Sequence, residues 1–116
     1  MTRGFVISAL MGCAALAATS PSAPRAMAAP SISVSIEDLS FVPAQLSVTV
    51  GTRVVFVNRD RLPHSVVGML GEKEQFRSDG QLDQDESFAV ALDEPGLIEV
   101  SCGIHSRMRA RLIVTR

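Results

Sequence analysis

The run LIEVSCGIHSRMRARLIV, residues 97–114, holds two alternating stretches joined by a short polar loop. Ile98 and Val100 alternate with Glu99 and Ser101, and Ala110, Leu112 and Val114 alternate with Arg109 and Arg111. Residues two apart on an extended strand face the same side, so this period predicts two half-buried strands. Carried one step further, the same parity turns Cys102 inward at the end of the first strand and Met108 inward at the start of the second. His105 stands at the apex of the loop between them.

The rest of the chain repeats the pattern. SISVSI (31–36), LSVTV (46–50), RVVFVN (53–58) and SFAVAL (87–92) are further runs rich in Val and Ile. Their boundaries fall at Gly51, Asn58-Arg59-Asp60, Gly71, Gly80 and Glu94-Pro95-Gly96, residue types that favour turns. No stretch carries a convincing helical period, and 68–86 reads as an irregular crossover or a short helical turn. Short strands spaced about ten residues apart predict an all-β sandwich of about seven to eight strands.

A chain of 116 residues makes one domain. Its first 28 residues carry a cation at Arg3, an apolar run from Phe5 to Ala18 and the small-x-small stop Ala26-Met27-Ala28, which together predict a secretory signal cleaved before Ala29. The domain would then be 29–116, about 88 residues, close to the lower limit for a self-sufficient core. No membrane span is expected, because the apolar run falls short of the roughly 20 residues that cross a bilayer. A lipid anchor on Cys13, within Leu10-Met11-Gly12-Cys13, is the weaker alternative: the hydrophobic segment before it is very short.

All twelve acidic residues but only nine of the eleven basic ones lie beyond residue 28, so the exported chain would carry a formal charge of −3. The five phenylalanines of the full chain are its only aromatic residues and none lies in a basic run, so it lacks the footprint of a nucleic-acid binder. Cys102 would be the only cysteine beyond residue 28, an unpaired thiol in an oxidising compartment. A lone buried cysteine is ordinarily inert. This one has His105 and Met108 as neighbours, and LPHSV (62–66) supplies the only other histidine, His64, read as opening a strand continued by Val66.

If those strand ends meet, four donors converge. Zinc gains little from a thioether, whereas copper accepts a thiolate, two imidazoles and a weak axial sulfur, so the set fits one copper ion cycling between Cu(I) and Cu(II).

Asn58-Arg59-Asp60-Arg61-Leu62-Pro63-His64-Ser65-Val66, and Pro95-Gly96 leading into Cys102-Gly103-Ile104-His105-Ser106-Arg107-Met108, make the chain from Ser31 to Arg116 resemble a cupredoxin of the amicyanin, pseudoazurin and plastocyanin group. The Cys-x-x-His-x-x-Met spacing resembles the first two. The resemblance implies a Greek-key winding, His64, Cys102 and His105 as equatorial copper ligands, Met108 as the axial one, and one-electron transfer between redox proteins in the periplasm. A monomer is expected, with partners docking at the copper end near Arg107. The chain departs from the family at Ser65, where Asn commonly braces the ligand loop, at Ile98 and Val100, where aromatic residues are usual, and at Ala110, where Gly is often seen.

Two other functions compete with electron transfer. A copper enzyme would need a second metal centre, and both histidines are already used by the first. A periplasmic protein for copper delivery or resistance is the closer rival, but exchange sites for Cu(I) are rich in methionine and only Met69 and Met108 lie beyond residue 28.

Overall fold

Alternating side chains fold the chain into nine strands: β1 Ser31–Glu37, β2 Ser40–Val42, β3 Gln45–Thr49, β4 Arg53–Asn58, β5 Val67–Leu70, β6 Lys73–Arg77, β7 Ser87–Ala91, β8 Gly96–Ser101 and β9 Arg109–Thr115. This computed structural model describes residues 29–116, together with Gly4 and Gly12. The remainder of the expected export signal, Cys13 included, lies outside the described residues.

The strands form two sheets, ordered β2-β1-β4-β7 and β3-β9-β8-β5-β6. β1 and β4 run parallel, as do β3 and β9, and the remaining pairs are antiparallel. Apart from the β1–β2, β5–β6 and β8–β9 connections, the chain changes sheet at every step, the interleaved winding that the resemblance implied. Sandwich and all-β class agree with the sequence reading.

The strand count does not, because nine are present where seven or eight were expected. The segment 68–86 holds the β5–β6 hairpin and no helical turn. Its signal was thin for a physical reason: β6 is an edge strand, so in KEQFR only Phe76 is buried. β2 has three residues, too few to show a period. His64 does not open a strand either; β5 begins at Val67, and His64 makes a single antiparallel bridge with Leu82.

Between the sheets lie Val34, Ile36, Val54, Phe56, Val66, Ile98, Val100, Leu112 and Val114, all essentially buried. Burying each such side chain stabilises the fold by about 1.5–3 kcal/mol relative to leaving it in water. Four phenylalanines form a chain of ring contacts: Phe41 meets Phe56 edge-on at 6.2 Å between centroids, Phe56 meets Phe76 at 5.9 Å, and Phe76 meets Phe88 at 6.1 Å. Phe76 also lies over Gly68 of β5, where a Cβ would come 2.2 Å from the ring. A glycine is required there by space.

Candidate metal centre

Strand parity delivers the donors. Ile98, Val100 and Cys102 are buried on the inward face of β8 and its extension, and Met108, Ala110, Leu112 and Val114 on that of β9. Glu99, Arg109 and Arg111 point outward, as the alternation predicts. The β8–β9 connection closes tightly, with the Met108 N–H donating to the His105 carbonyl at 3.1 Å. That turn lifts His105 to the half-exposed rim of the sandwich while Met108, 2% exposed, stays inside.

His64 comes from the other side. Asn58 ends β4 on its inward face and is fully buried, so its side chain must find partners within the protein. Its Nδ2 donates to the carbonyls of Leu62 (2.9 Å) and Leu82 (2.8 Å), and its Oδ1 accepts from the Asp60 N–H (2.9 Å). These bonds shape loop 59–63 into a turn that ends at His64. Two backbone bonds with Leu82 then fix His64, and Ser78 fixes Val66 through its N–H and its Oγ. The imidazole is wholly buried.

The result is a triangle of donor atoms. Cys102 Sγ lies 3.8 Å from His64 Nδ1 and 4.0 Å from His105 Nδ1, and the two nitrogens are 3.1 Å apart. These edges are what three donors would span around one common ion at about 2.0–2.3 Å, the usual range for imidazole and thiolate ligands. Among the described residues this is the one group of three or more His, Cys, Asp or Glu side chains able to hold a metal ion. One thiol and two imidazoles so placed are the equatorial donor chemistry of a type 1 copper site.

The thiol is prepared for this role. Burial pushes Cys102 up, but the N–H groups of Ser65, His105 and Ile104 and the His64 ring outweigh it and bring the thiol down to about 6. Ser65 contributes further: its N–H approaches Cys102 Sγ at 3.4 Å, and its Oγ accepts from the Gly103 N–H at 2.8 Å. The shorter side chain at this position therefore does brace the ligand loop. Gly103 makes the approach possible, since a Cβ there would sit 2.9 Å from Ser65 Oγ.

Asp60 was not singled out from the sequence. Its Oδ2 lies 2.8 Å from His64 Nε2 and also accepts from the Leu39 N–H, while Oδ1 accepts from the Asp38 N–H, both at 2.9 Å. Burial raises its carboxyl, yet these donors prevail and hold it below the ordinary carboxylate range. Asn58 was legible in principle, since the parity of RVVFVN points it inward. Asp60 was not, because its partners at 38 and 39 are distant in sequence. Around this end Arg61, Arg107 and Arg109 are exposed, whereas Arg59 is paired with Asp85 at 2.8 Å. Leu39, Leu62 and Ile104 are exposed apolar residues nearby, and Leu39 and Ile104 line a shallow concavity beside His105.

The chain matches the family described as "Cupredoxin-like domain" over residues 6–114. Amicyanin from Paracoccus versutus is 29% identical over 97 residues, covering 81% of this chain and 72% of that protein. A reduced amicyanin variant superposes with a TM-score of 0.65 at 26% identity, over 72% of this chain and 81% of that one. The copper-containing nitrite reductase of Thermus scotoductus gives a TM-score of 0.66 at 28% identity, over 75% of this chain but 22% of that enzyme.

Proposed function

The chain belongs to the cupredoxin-like family, in its amicyanin group, and from that premise we propose that it is a small exported one-electron carrier of the periplasm. Its cofactor is a single type 1 copper ion, which His64, Cys102 and His105 would hold, with buried Met108 supplying a fourth, weaker donor. The observation that carries this reading is the triangle of buried thiol and two Nδ1 atoms at the end of the sandwich where Met108 is also buried.

Bound copper supplies a Cu(II)/Cu(I) couple. The chain's own residues do the rest. Asn58, Ser65 and the Leu82 bridge hold the donors through bonds that do not involve a metal, so little has to rearrange when the ion's charge changes. Val66, Val100 and Phe56 are fully buried in the core from whose strands and loops the donors project, which keeps that core dry. His105, half-exposed on the rim, is the donor nearest to a partner's surface, and Arg61, Arg107 and Arg109 give that surface a cationic border.

Delivery or resistance is the lesser reading, since His64 and Cys102 are buried and a site that exchanges metal needs access. A catalytic role like that of the nitrite reductase finds no support: the chain spans 22% of that enzyme, and its two histidines belong to one cluster. Export rests on residues 1–28 as a signal, which N-terminal sequencing of the secreted protein tests. The function is tested by purifying the protein with copper. The oxidised form should show an intense visible thiolate-to-copper band that Cys102→Ala abolishes. A colourless copper complex in the parent protein would sink the reading.

A further inference from the structure

The edge of β7 differs from the other edges of the sandwich. β6 carries Lys73, Glu74 and Arg77, and β2 and β3 are held together by the two-residue link Pro43-Ala44. β7 is SFAVA, five residues without a charge, a proline or a long polar side chain. Its neighbour β4 takes only half of its backbone groups. The Asn58 N–H donates to the Glu86 carbonyl and the Leu92 N–H to that of Thr52, so by the alternation of antiparallel ladders Phe88 and Val90 bond to β4 as well. Ser87, Ala89 and Ala91 then turn their N–H and C=O groups outward, and among the described residues nothing bonds to them. Unpaired groups on an uncharged edge are a template for another strand.

The flank between β7 and β6 is also open. A cleft of about 100 Å³ separates them, lined by Gln75, Phe76, Val90, Ala91, Asp93 and Glu94, and Gln75 keeps a buried Nε2 without a hydrogen-bond partner. Phe88 and Val90, the inward residues of β7, are only partly buried. An added strand would cover both with its own inward row. Charge sets its direction. The segment 78–86 that leads into β7 holds Asp79, Asp83, Asp85 and Glu86 and no basic residue, and of these only Asp85 is ion-paired, to Arg59. At the other end Glu94 is bound by Lys73, and Arg53 is the register partner of Ala91. The acidic end of the edge is therefore the one beside Ser87.

We propose that the β7 edge docks an extended segment of a partner protein, uncharged over the residues that face Ser87–Ala91 and ending in Lys or Arg, as a further antiparallel strand of the β2-β1-β4-β7 sheet. In this mode main-chain bonds, here to Ser87, Ala89 and Ala91, supply the affinity, and side chains select the partner. Running antiparallel, the segment brings its C-terminal cations opposite Glu86 and Asp85, and opposite charges on facing strands attract. A second copy of this chain fits less well, because pairing about Ala89 would set Asp85 against a second Asp93. The site is independent of copper and of the functional reading above. It also leaves the rim free: Leu39 and Ser40, which line the concavity with His105, lie at the β2 edge of the sheet, opposite β7.

The probe is the acetylated and amidated peptide Thr-Val-Thr-Val-Thr-Lys-Lys, added to the purified, reduced protein, with amide hydrogen exchange read by NMR. At about ten times its dissociation constant the peptide should slow exchange at Ser87, Ala89 and Ala91 about tenfold, as mass action requires. A peptide ending in Glu-Glu should bind about tenfold more weakly, since two cross-strand attractions become repulsions. Ala89→Pro removes an outward N–H without touching the β4 ladder and should abolish the protection. Methylating the main-chain nitrogen of the middle threonine, which faces Ala89, should do the same, and keeps the test decisive if Ala89→Pro does not fold. Protection that falls elsewhere, none at millimolar peptide, binding that survives the methylation, or equal binding of the Glu-Glu peptide each overturns the proposal. Self-association of the parent that Ala89→Pro abolishes would make the occupant a second copy and overturns it too.

Discussion

Cys102 is a thiol in surroundings built for a thiolate. Its folded value of about 6 stands against 9.0 for an unperturbed thiol, so between those values the folded chain binds fewer protons than the unfolded one. The stability this contributes is complete above pH 9 and is lost as pH falls through 6. Copper-free, reduced protein should therefore melt at progressively lower temperature from pH 9 to pH 6, and Cys102→Ala should remove that slope; a parent whose melting temperature is flat over this window would contradict it. Met108 calls for a different test, because a long axial bond contributes little to the visible band. Met108→Leu should keep most of the colour while shifting the reduction potential, and a variant that loses its band would mean that Met108 does more than sit on the axis. Parity alone brought Cys102 and Met108 inward from the sequence, and the burial of both agrees. The partners of Asp60 were invisible to the same reasoning, since period two says nothing about which distant turn a side chain meets.

At the scale of elements, the strands that could be read are those whose sequence carries an apolar run of alternating or continuous character: β1, β3, β4, β7, β8 and β9. Those that could not are β2, too short, and the β5–β6 hairpin, where a bulge between Gly68 and Met69 interrupts the alternation. That bulge lies where Phe76 closes over Gly68, wedged between Phe56 and Phe88. Gly68→Ala forces a methyl group into this ring and should cost about 1–3 kcal/mol in chemical denaturation, the usual penalty of overpacking. In a Phe76→Leu background the same substitution should cost measurably less, since the two residues touch and their effects should not add. Additive losses would place the constraint elsewhere. Asn58 sets the loop between β4 and His64 in a comparable way. Asn58→Ala removes a buried amide's bonds to Leu62, Leu82 and Asp60 and should cost about 1–3 kcal/mol. Copper affinity should fall with it, because the loop carries His64.

Across the whole molecule both signs of charge are present at each end of the strands, and the arginines nearest His105 are the ones that bear on encounter. β8 runs from Pro95-Gly96 toward Cys102, so the turns at 71–72 and 93–95 lie at the end away from the donor triangle. That far end carries Glu72, Asp93 and Glu94, with Lys73 bound to Glu94, while Arg61, Arg107 and Arg109 stand exposed at the near end. That near end also holds Asp38, Asp83, Asp85 and Glu86, so positive charge is confined to the arginines closest to His105 and is local in a chain of net negative charge beyond residue 28. Two small oxidants of opposite charge separate these effects without any knowledge of the natural partner. Ferricyanide, an anion, should oxidise the reduced protein more slowly as salt is raised from low ionic strength to 0.15 M, where the screening length falls to about 8 Å. A cationic cobalt phenanthroline complex, repelled by the same arginines, should show the opposite slope. Arg107→Glu should weaken both dependences, and the charge-changing Glu72→Lys, at the distant end, should alter them much less. If the cation's rate also falls with salt, or if Glu72→Lys matters as much as Arg107→Glu, then net charge governs encounter and the arginines beside His105 are ordinary solvated side chains.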